Sequence, residues 1–348
     1  MTSFFIYVII LEIIFILWTV KKKFFYPWTQ ELSEESLLAF YDNPNNFTLK
    51  DPRKKNISDP FPENTFVLLT HGSFAINGDI RNNILFHKQE LGSTLGGEVH
   101  KSKKAINYHL LRVLKNFSDF WTSVMVKHSW IPKGHIIKHT GSRFIWDPNR
   151  DINADDFIRK TDFYGNIILE NPERYRPEWE TEHKKYHDKI TEKLSWVEKE
   201  EWGVIAFDIH DTWVREMSYN TEDDRFKKEA FPLMTLGTRD GLACNPEILE
   251  YFSERIEHYL WIKPLLNDPY KWGYVTQRHG EKYRKDLEQK WENPWKRNMI
   301  QVEIWKFLYM QESTQKVDKD RMSLIWIWIH KAIADTWKKF DKEYFASL

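Results

Sequence analysis

The stretch Phe207-Asp208-Ile209-His210-Asp211 sets a carboxylate, an imidazole and a second carboxylate directly after the apolar run Val204 to Phe207. Imidazole is both a metal ligand and a proton carrier near neutral pH, and a carboxylate two residues away is placed to orient it. On its own an Asp-x-His is also what a capped loop and a core histidine leave in any long chain. A second ending of the same kind raises its weight. Phe66 to Leu69 is apolar and breaks at Thr70-His71-Gly72-Ser73, where Gly72 would let the backbone turn tightly beneath a ligand. Two histidines that each follow a buried strand imply strand ends converging on one pocket, the arrangement a metal or a general base requires.

Three further groups fit such a pocket. In SRFIWDPNRD, Arg143 and Arg150 flank a strand-like core with Asp147 and Asn149 between them. Paired guanidinium groups suit a small acidic substrate, because each binds a carboxylate through two parallel hydrogen bonds; the alternative is an Arg-Asp salt bridge that fixes a loop. Glu303 stands among apolar neighbours in QVEIWKFLYMQE. A carboxylate there is either paired or raised in pKa, and the second state is what a base working near neutrality needs.

The elements that must position these groups follow from the hydrophobic pattern. Val204 to Phe207 reads as a strand that stops at the polar cluster. Ala105 to Phe117 and Trp179 to Glu200 read as helices with one apolar face. Asn245-Pro246 is a helix start, with Asn as cap and Pro in the first turn, and LNDPYKWGYVTQRHG reads as a turn-rich loop leading into a strand. Strand, helix and strand alternate, so the expected class is α/β, a central mixed β-sheet flanked by helices.

Bulk properties set the limits. Lys plus Arg and Asp plus Glu each number 51, so the formal net charge is zero and no global field favours nucleic acid. Cys244 is the single cysteine, which leaves no disulfide framework and no cysteine-based zinc site. Ser3 to Val20 is almost wholly apolar, carries Glu12, and is followed by Lys21, Lys22 and Lys23. Its length sits at the lower edge of what spans a bilayer, and the lysines would keep the body of the chain on the cytoplasmic side. The expected organisation is residues 1-23 as a hydrophobic N-terminal segment serving as membrane anchor, 24-64 as a tether, and 65-348 as the α/β domain. Packing of that first segment on a cytoplasmic domain is the alternative.

Taken in order, THGS, SRFIWDPNRD, YHDKITEKLSW, FDIHD, GTRDGLACNP, LNDPYKWGYVTQRHG and QVEIWKFLYMQE resemble the N-formylglutamate amidohydrolase family. The resemblance implies a fold similar to zinc carboxypeptidases and phosphorylase-hydrolases, and cleavage of a formamide bond to formate and glutamate. It implies one divalent metal ion, Zn²⁺ being the first choice, held by His71, His210 and an acidic third ligand. Glu98 in GGEVH is the nearest match for that ligand, with Asp79 and Glu90 as alternatives, and Asp208 would orient a ligand from behind. Glu303 would be the catalytic base, and Arg143, Asn149, Arg150 and Arg278 would bind the small-molecule substrate.

The departures from the family pattern are specific. Thr70 stands where the family has Pro, and Asp211 replaces a Ser, adding negative charge beside the expected metal. Trp272 replaces the first Gly of a pair, and Gln277 replaces an Arg, with Arg278 one place later. These departures keep two other readings open: an amidohydrolase with a different peptide or acyl substrate, and a membrane-tethered, non-catalytic binding protein that keeps the fold.

Overall fold

The computed structural model describes residues 61–73, 118–127, 131–143, 145–160, 169, 171–212, 233–270, 273–311 and 316–348. The apolar segment Ser3 to Val20, the tether to residue 60, the expected helix Ala105 to Phe117, and Asp79, Glu90, Glu98 and Trp272 lie outside the described residues. Among the described residues no helix is long and apolar enough to cross a membrane.

Six strands form one sheet in the order β2-β1-β3-β6-β4-β5. They are β1 (Thr65–Leu69), β2 (Ile136–Lys138), β3 (Val204–Thr212), β4 (Met234–Gly237), β5 (Leu265–Leu266) and β6 (Arg297–Trp305). β2, β1, β3 and β6 run parallel, whereas β4 is antiparallel to β6 and parallel to β5. The sheet is therefore mixed and α/β, as the alternation of elements implied.

The order also locates a crevice. From β1 the chain passes to β2 on one side and then to β3 on the other, so the carboxyl ends of β1 and β3 flank a topological switch point, where α/β sheets bind ligands.

Side chains alternate between the two faces of a strand, and the two cores divide accordingly. Phe66, Leu68, Val204, Ala206 and Met299 pack with Tyr186, Ile190, Leu194 and Val197 of helix α2 (Arg176–Glu201). Val67, Leu69, Ile205, Phe207, Ile209, Ile300, Val302 and Ile304 face the other way. There they meet α3 (Pro246–Leu260), through Ile248, Leu249, Phe252, Ile256 and Leu260, and the long C-terminal helix Lys319–Lys339. Asn245 caps α3 by accepting from the Glu247 amide, with Pro246 in the first turn, as its sequence implies.

Three local expectations are corrected. β3 does not stop at Asp208 but runs to Thr212, in register with all nine residues of β6, because each polar side chain beyond Phe207 finds partners on its own face. SRFIWDPNRD is a chain of turns with one isolated bridge, Trp146 to Ile158, since its polar groups close back on their own backbone. GYVTQRHG is helical rather than a strand: Tyr274–Thr276 continues through a π-helical stretch, Gln277–Lys282, into Tyr283–Gln289. The helix starts there because Thr276 and Gly273 satisfy each other, the Gly273 amide donating to Thr276 Oγ1 and that hydroxyl to the Gly273 carbonyl.

Candidate metal centre

By alternation Asp208 and His210 on β3 and Gln301 and Glu303 on β6 project from the α2 face of the sheet, and Thr70, one residue past β1, lies beside them through its hydrogen bond to Asp208. His71 follows in the turn after β1. That turn is held closed by α1 (Phe120–Lys127), where the Ser123 hydroxyl donates to the Gly72 carbonyl. A Cβ on Gly72 would fall 2.2 Å from Ser123 Oγ, so glycine is required here for close approach of α1. Asp119, the residue before α1, is thereby brought to the histidines.

The two imidazoles meet with ring centroids 4.8 Å apart. His71 Nδ1 and His210 Nδ1 lie 3.1 Å from each other, and 3.2 Å and 2.8 Å from Asp119 Oδ2. The far nitrogens face one carboxylate each: His71 Nε2 is 2.6 Å from Asp147 Oδ1, and His210 Nε2 is 2.9 Å from Asp208 Oδ2. The hydrogen bond to Asp147 fixes His71 Nε2 as the N–H and leaves its Nδ1 lone pair turned inward, while Asp208 meets His210 Nε2 as an ion-pair contact without hydrogen-bond alignment. Two Nδ1 nitrogens and a carboxylate oxygen then crowd one point. Such a group is stable only around a proton or a cation.

Arg143 closes the back of the cluster, with Nη1 3.3 Å from Asp119 Oδ1 and Nη2 3.2 Å from Asp147 Oδ2. Burial pushes the carboxyl groups of Asp119 and Asp147 up, but Arg143 and His71 outweigh it and hold both well below the usual range. Burial opposes a charge on His210 as well, yet Asp208 and Asp119 hold its pKa well above 6.5.

Glu303 is the residue directly across from His210 on β6 and accepts from Gln301 Nε2 at 2.7 Å. Burial drives its pKa up to about 6, with His210 working against the rise.

The other residues singled out in the sequence are placed around this centre. Asn149 accepts from the Val275 amide at 2.9 Å, and its own amide donates to Asp147 Oδ1 at 2.8 Å, so it ties the Asp147 turn to the helix that starts at Tyr274. Arg150 pairs with Asp156 near the surface, and Arg278 donates to the Tyr274 hydroxyl at 3.0 Å. Arg143 and Arg150 thus display the salt-bridged arrangement that was the alternative for them. Asp211 was expected to add charge beside the metal; alternation turns it to the opposite face, where Lys306 Nζ lies 3.0 Å away and the Tyr309 hydroxyl donates at 2.7 Å. The carboxylate that meets both histidines among the described residues is Asp119, whereas Glu98 lies outside them.

Sequence reasoning missed Asp119 because no motif or strand ending marks it; only the fold brings it to the histidines. It also missed the histidine layer behind the Asp147 turn. His183 Nε2 donates to the Arg150 carbonyl at 2.9 Å and His187 Nε2 to the Pro148 carbonyl at 3.0 Å. With that proton committed, His187 Nδ1 must accept from His279 Nε2, 2.8 Å away. Burial holds all three below the ordinary histidine value, and takes His139, wedged against Trp146 and Tyr186, down to about 3.

The donors at the centre suit a divalent ion. His71, Asp119 and His210 each offer one atom, all within 4.8 Å of one another and all buried. Two imidazole nitrogens and a carboxylate oxygen fit Zn²⁺, and also other first-row ions.

Fold and cluster together define an α/β protein whose polar centre sits at the switch point of a mixed sheet. The fold is shared with the crystal structure of an N-formylglutamate amidohydrolase from Ralstonia eutropha JMP134, with a TM-score of 0.55 and 16% identity over 82% of this chain and 94% of the other. A gene product from Agrobacterium tumefaciens superposes with a TM-score of 0.46 and 12% identity, over 80% of this chain and 91% of its own. No curated protein matches the sequence. Residues 99–310 match the N-formylglutamate amidohydrolase family, and the chain belongs to that family.

Proposed function

We propose that the chain is a metal-dependent amidohydrolase that cleaves the formamide bond of a small N-acyl amino acid, N-formylglutamate giving formate and glutamate. The observation that carries this reading is the convergence of His71 Nδ1, His210 Nδ1 and Asp119 Oδ2 on one point, with a carboxylate behind each imidazole. His71, His210 and Asp119 would hold the ion, with Zn²⁺ the first choice. When bound, such an ion polarises the formyl carbonyl and makes water a better nucleophile near neutral pH.

The chain's own residues supply the rest. Asp147 keeps the Nε2 proton of His71 by a hydrogen bond, and Asp208 holds His210 by an ion-pair contact at Nε2, so each carboxylate restrains one ring. Glu303, held by Gln301 and raised to about 6 by burial, takes the proton from the attacking water and returns it to the departing amine nitrogen. Arg143 fixes Asp119 and Asp147, while Arg150 and Arg278 offer partly exposed guanidinium groups to substrate carboxylates.

Formate release from N-formylglutamate by chain loaded with Zn²⁺, compared with chain stripped by chelator, tests the proposal. Equal rates with and without metal would remove the metal from it. The commitment of Arg143 to two carboxylates favours, as a second reading, an amide substrate with fewer acidic groups. A panel of N-formyl and N-acyl amino acids separates the two.

A further inference from the structure

Thr70 directly follows β1 and precedes His71, where the resembling family carries a Pro. Proline offers no side-chain donor, whereas the Thr70 hydroxyl is fully buried and donates to Asp208 Oδ1 at 2.6 Å. Its single proton is then spent, so the 3.0 Å contact with Tyr186 has one direction: the Tyr186 hydroxyl donates to Thr70 Oγ1. The other oxygen of Asp208 lies 2.9 Å from His210 Nε2, and His210 Nδ1 reaches Asp119 and His71.

A continuous line of polar contacts therefore runs from α2 through the end of β1 to the imidazole on β3. Every member is buried. A carboxylate on a strand is free to rotate about its Cα–Cβ and Cβ–Cγ bonds, and here one oxygen is taken by a hydroxyl that is itself fixed from the opposite helix. That leaves the second oxygen in one place, in ion-pair contact with His210 Nε2 at 2.9 Å, so the carboxylate charge holds the ring where it lies.

We infer that Thr70 is a positioning residue. With Tyr186 behind it, Thr70 holds Asp208 in the rotamer that keeps His210 Nδ1 turned toward His71 and Asp119. The inference rests on the reading of those three side chains as a cation site.

Zn²⁺ affinity of the full chain, measured by competition with a chromophoric chelator, tests it on the wild type, Thr70→Val, Thr70→Ser and Tyr186→Phe. Valine keeps the shape and removes the hydroxyl, and affinity should fall about tenfold, the lower end of what loss of an outer ligand partner costs. Serine restores the hydroxyl and should restore the affinity. Tyr186→Phe should weaken binding less, and adding it to Thr70→Val should cost nothing further, since Tyr186 acts through Thr70. A packing role alone would lower the melting temperature of the valine variant without this pattern of rescue. Unchanged affinity in Thr70→Val, or a serine variant as weak as valine, overturns the inference while leaving the cation site intact. A wild-type chain that takes up no Zn²⁺ overturns both.

Discussion

Lys306 and Asp211 form an ion pair at 3.0 Å on the side of the sheet away from His210, with both side chains removed from water. The same ammonium donates to the Ser118 carbonyl at 3.2 Å, one residue before Asp119. Asp211 is pushed up to about 6 by burial, and Lys306 opposes that rise. Asp211, which departs from the family pattern in sequence, is thus paired with a cation that directly follows β6, on the face of the sheet away from His210.

Removing one partner of that pair should be expensive. Lys306→Met leaves a buried carboxylate without its cation and should cost about 3–5 kcal/mol of stability by urea unfolding. The double variant with Asp211→Leu should recover most of the loss. A single variant within 1 kcal/mol of wild type, about the value of an exposed pair, would show that the pair is solvated.

Glu303→Gln keeps the shape and the contact with Gln301 but cannot accept a proton. Zn²⁺ binding should be retained while turnover falls about 10²- to 10⁴-fold. In the wild type, kcat/KM should rise with pH through about 6, since the carboxyl must be ionised to act as base. Wild-type turnover in the glutamine variant, or a flat profile between pH 5 and 7, would take Glu303 out of the reaction.

Acid should destabilise the fold. His139, His183, His187 and His279 have folded-state values below 6.5, so the unfolded chain binds more protons there. Their stabilising contribution is complete above about pH 6.5 and is lost as pH falls below it, at about 1.4 kcal/mol per pH unit for each fully buried ring. Glu303 and Asp211, both raised, run the other way but are fewer. Urea midpoints should therefore fall between pH 6.5 and 5, and a midpoint that rises over this interval would contradict the neutral histidine layer.

Gly72→Ala places a methyl group against Ser123 and should cost about 1–3 kcal/mol through overpacking, with weaker metal uptake because Asp119 directly precedes α1 and moves with it. Pairing it with Ser123→Ala should return part of both. A single variant that melts with the wild type would mean that α1 moves aside freely.

Much of the frame was legible in the sequence because it rests on local pattern. Buried apolar runs marked β1 and the start of β3, an apolar stripe marked α2, and Asn245-Pro246 marked the start of α3. The meeting of His71 and His210 was inferred from two similar strand endings. What escaped detection depends on contacts between distant parts of the chain. Asp119 has no motif of its own, and only the approach of α1 over Gly72 makes it a neighbour of both rings. The helix through Gln277 read as a strand because Tyr274 and Val275 favour strands in isolation, whereas the Gly273–Thr276 hydrogen bonds decide the backbone. Along this helix neighbouring residues diverge by about a quarter turn, so Arg278 points away from the direction of position 277, though not to the opposite face as it would in a strand.

His71 and His210 are separated by 139 positions in sequence, yet their inner nitrogens lie side by side. An ion seated between them would act as a staple across about half of the domain, closing a very large loop in any partly unfolded chain. Such a chain presents no preformed chelate until β1 and β3 are zipped together. Metal uptake should therefore report on completion of the whole sheet, and its loss should loosen the domain as one cooperative unit rather than fray a single edge.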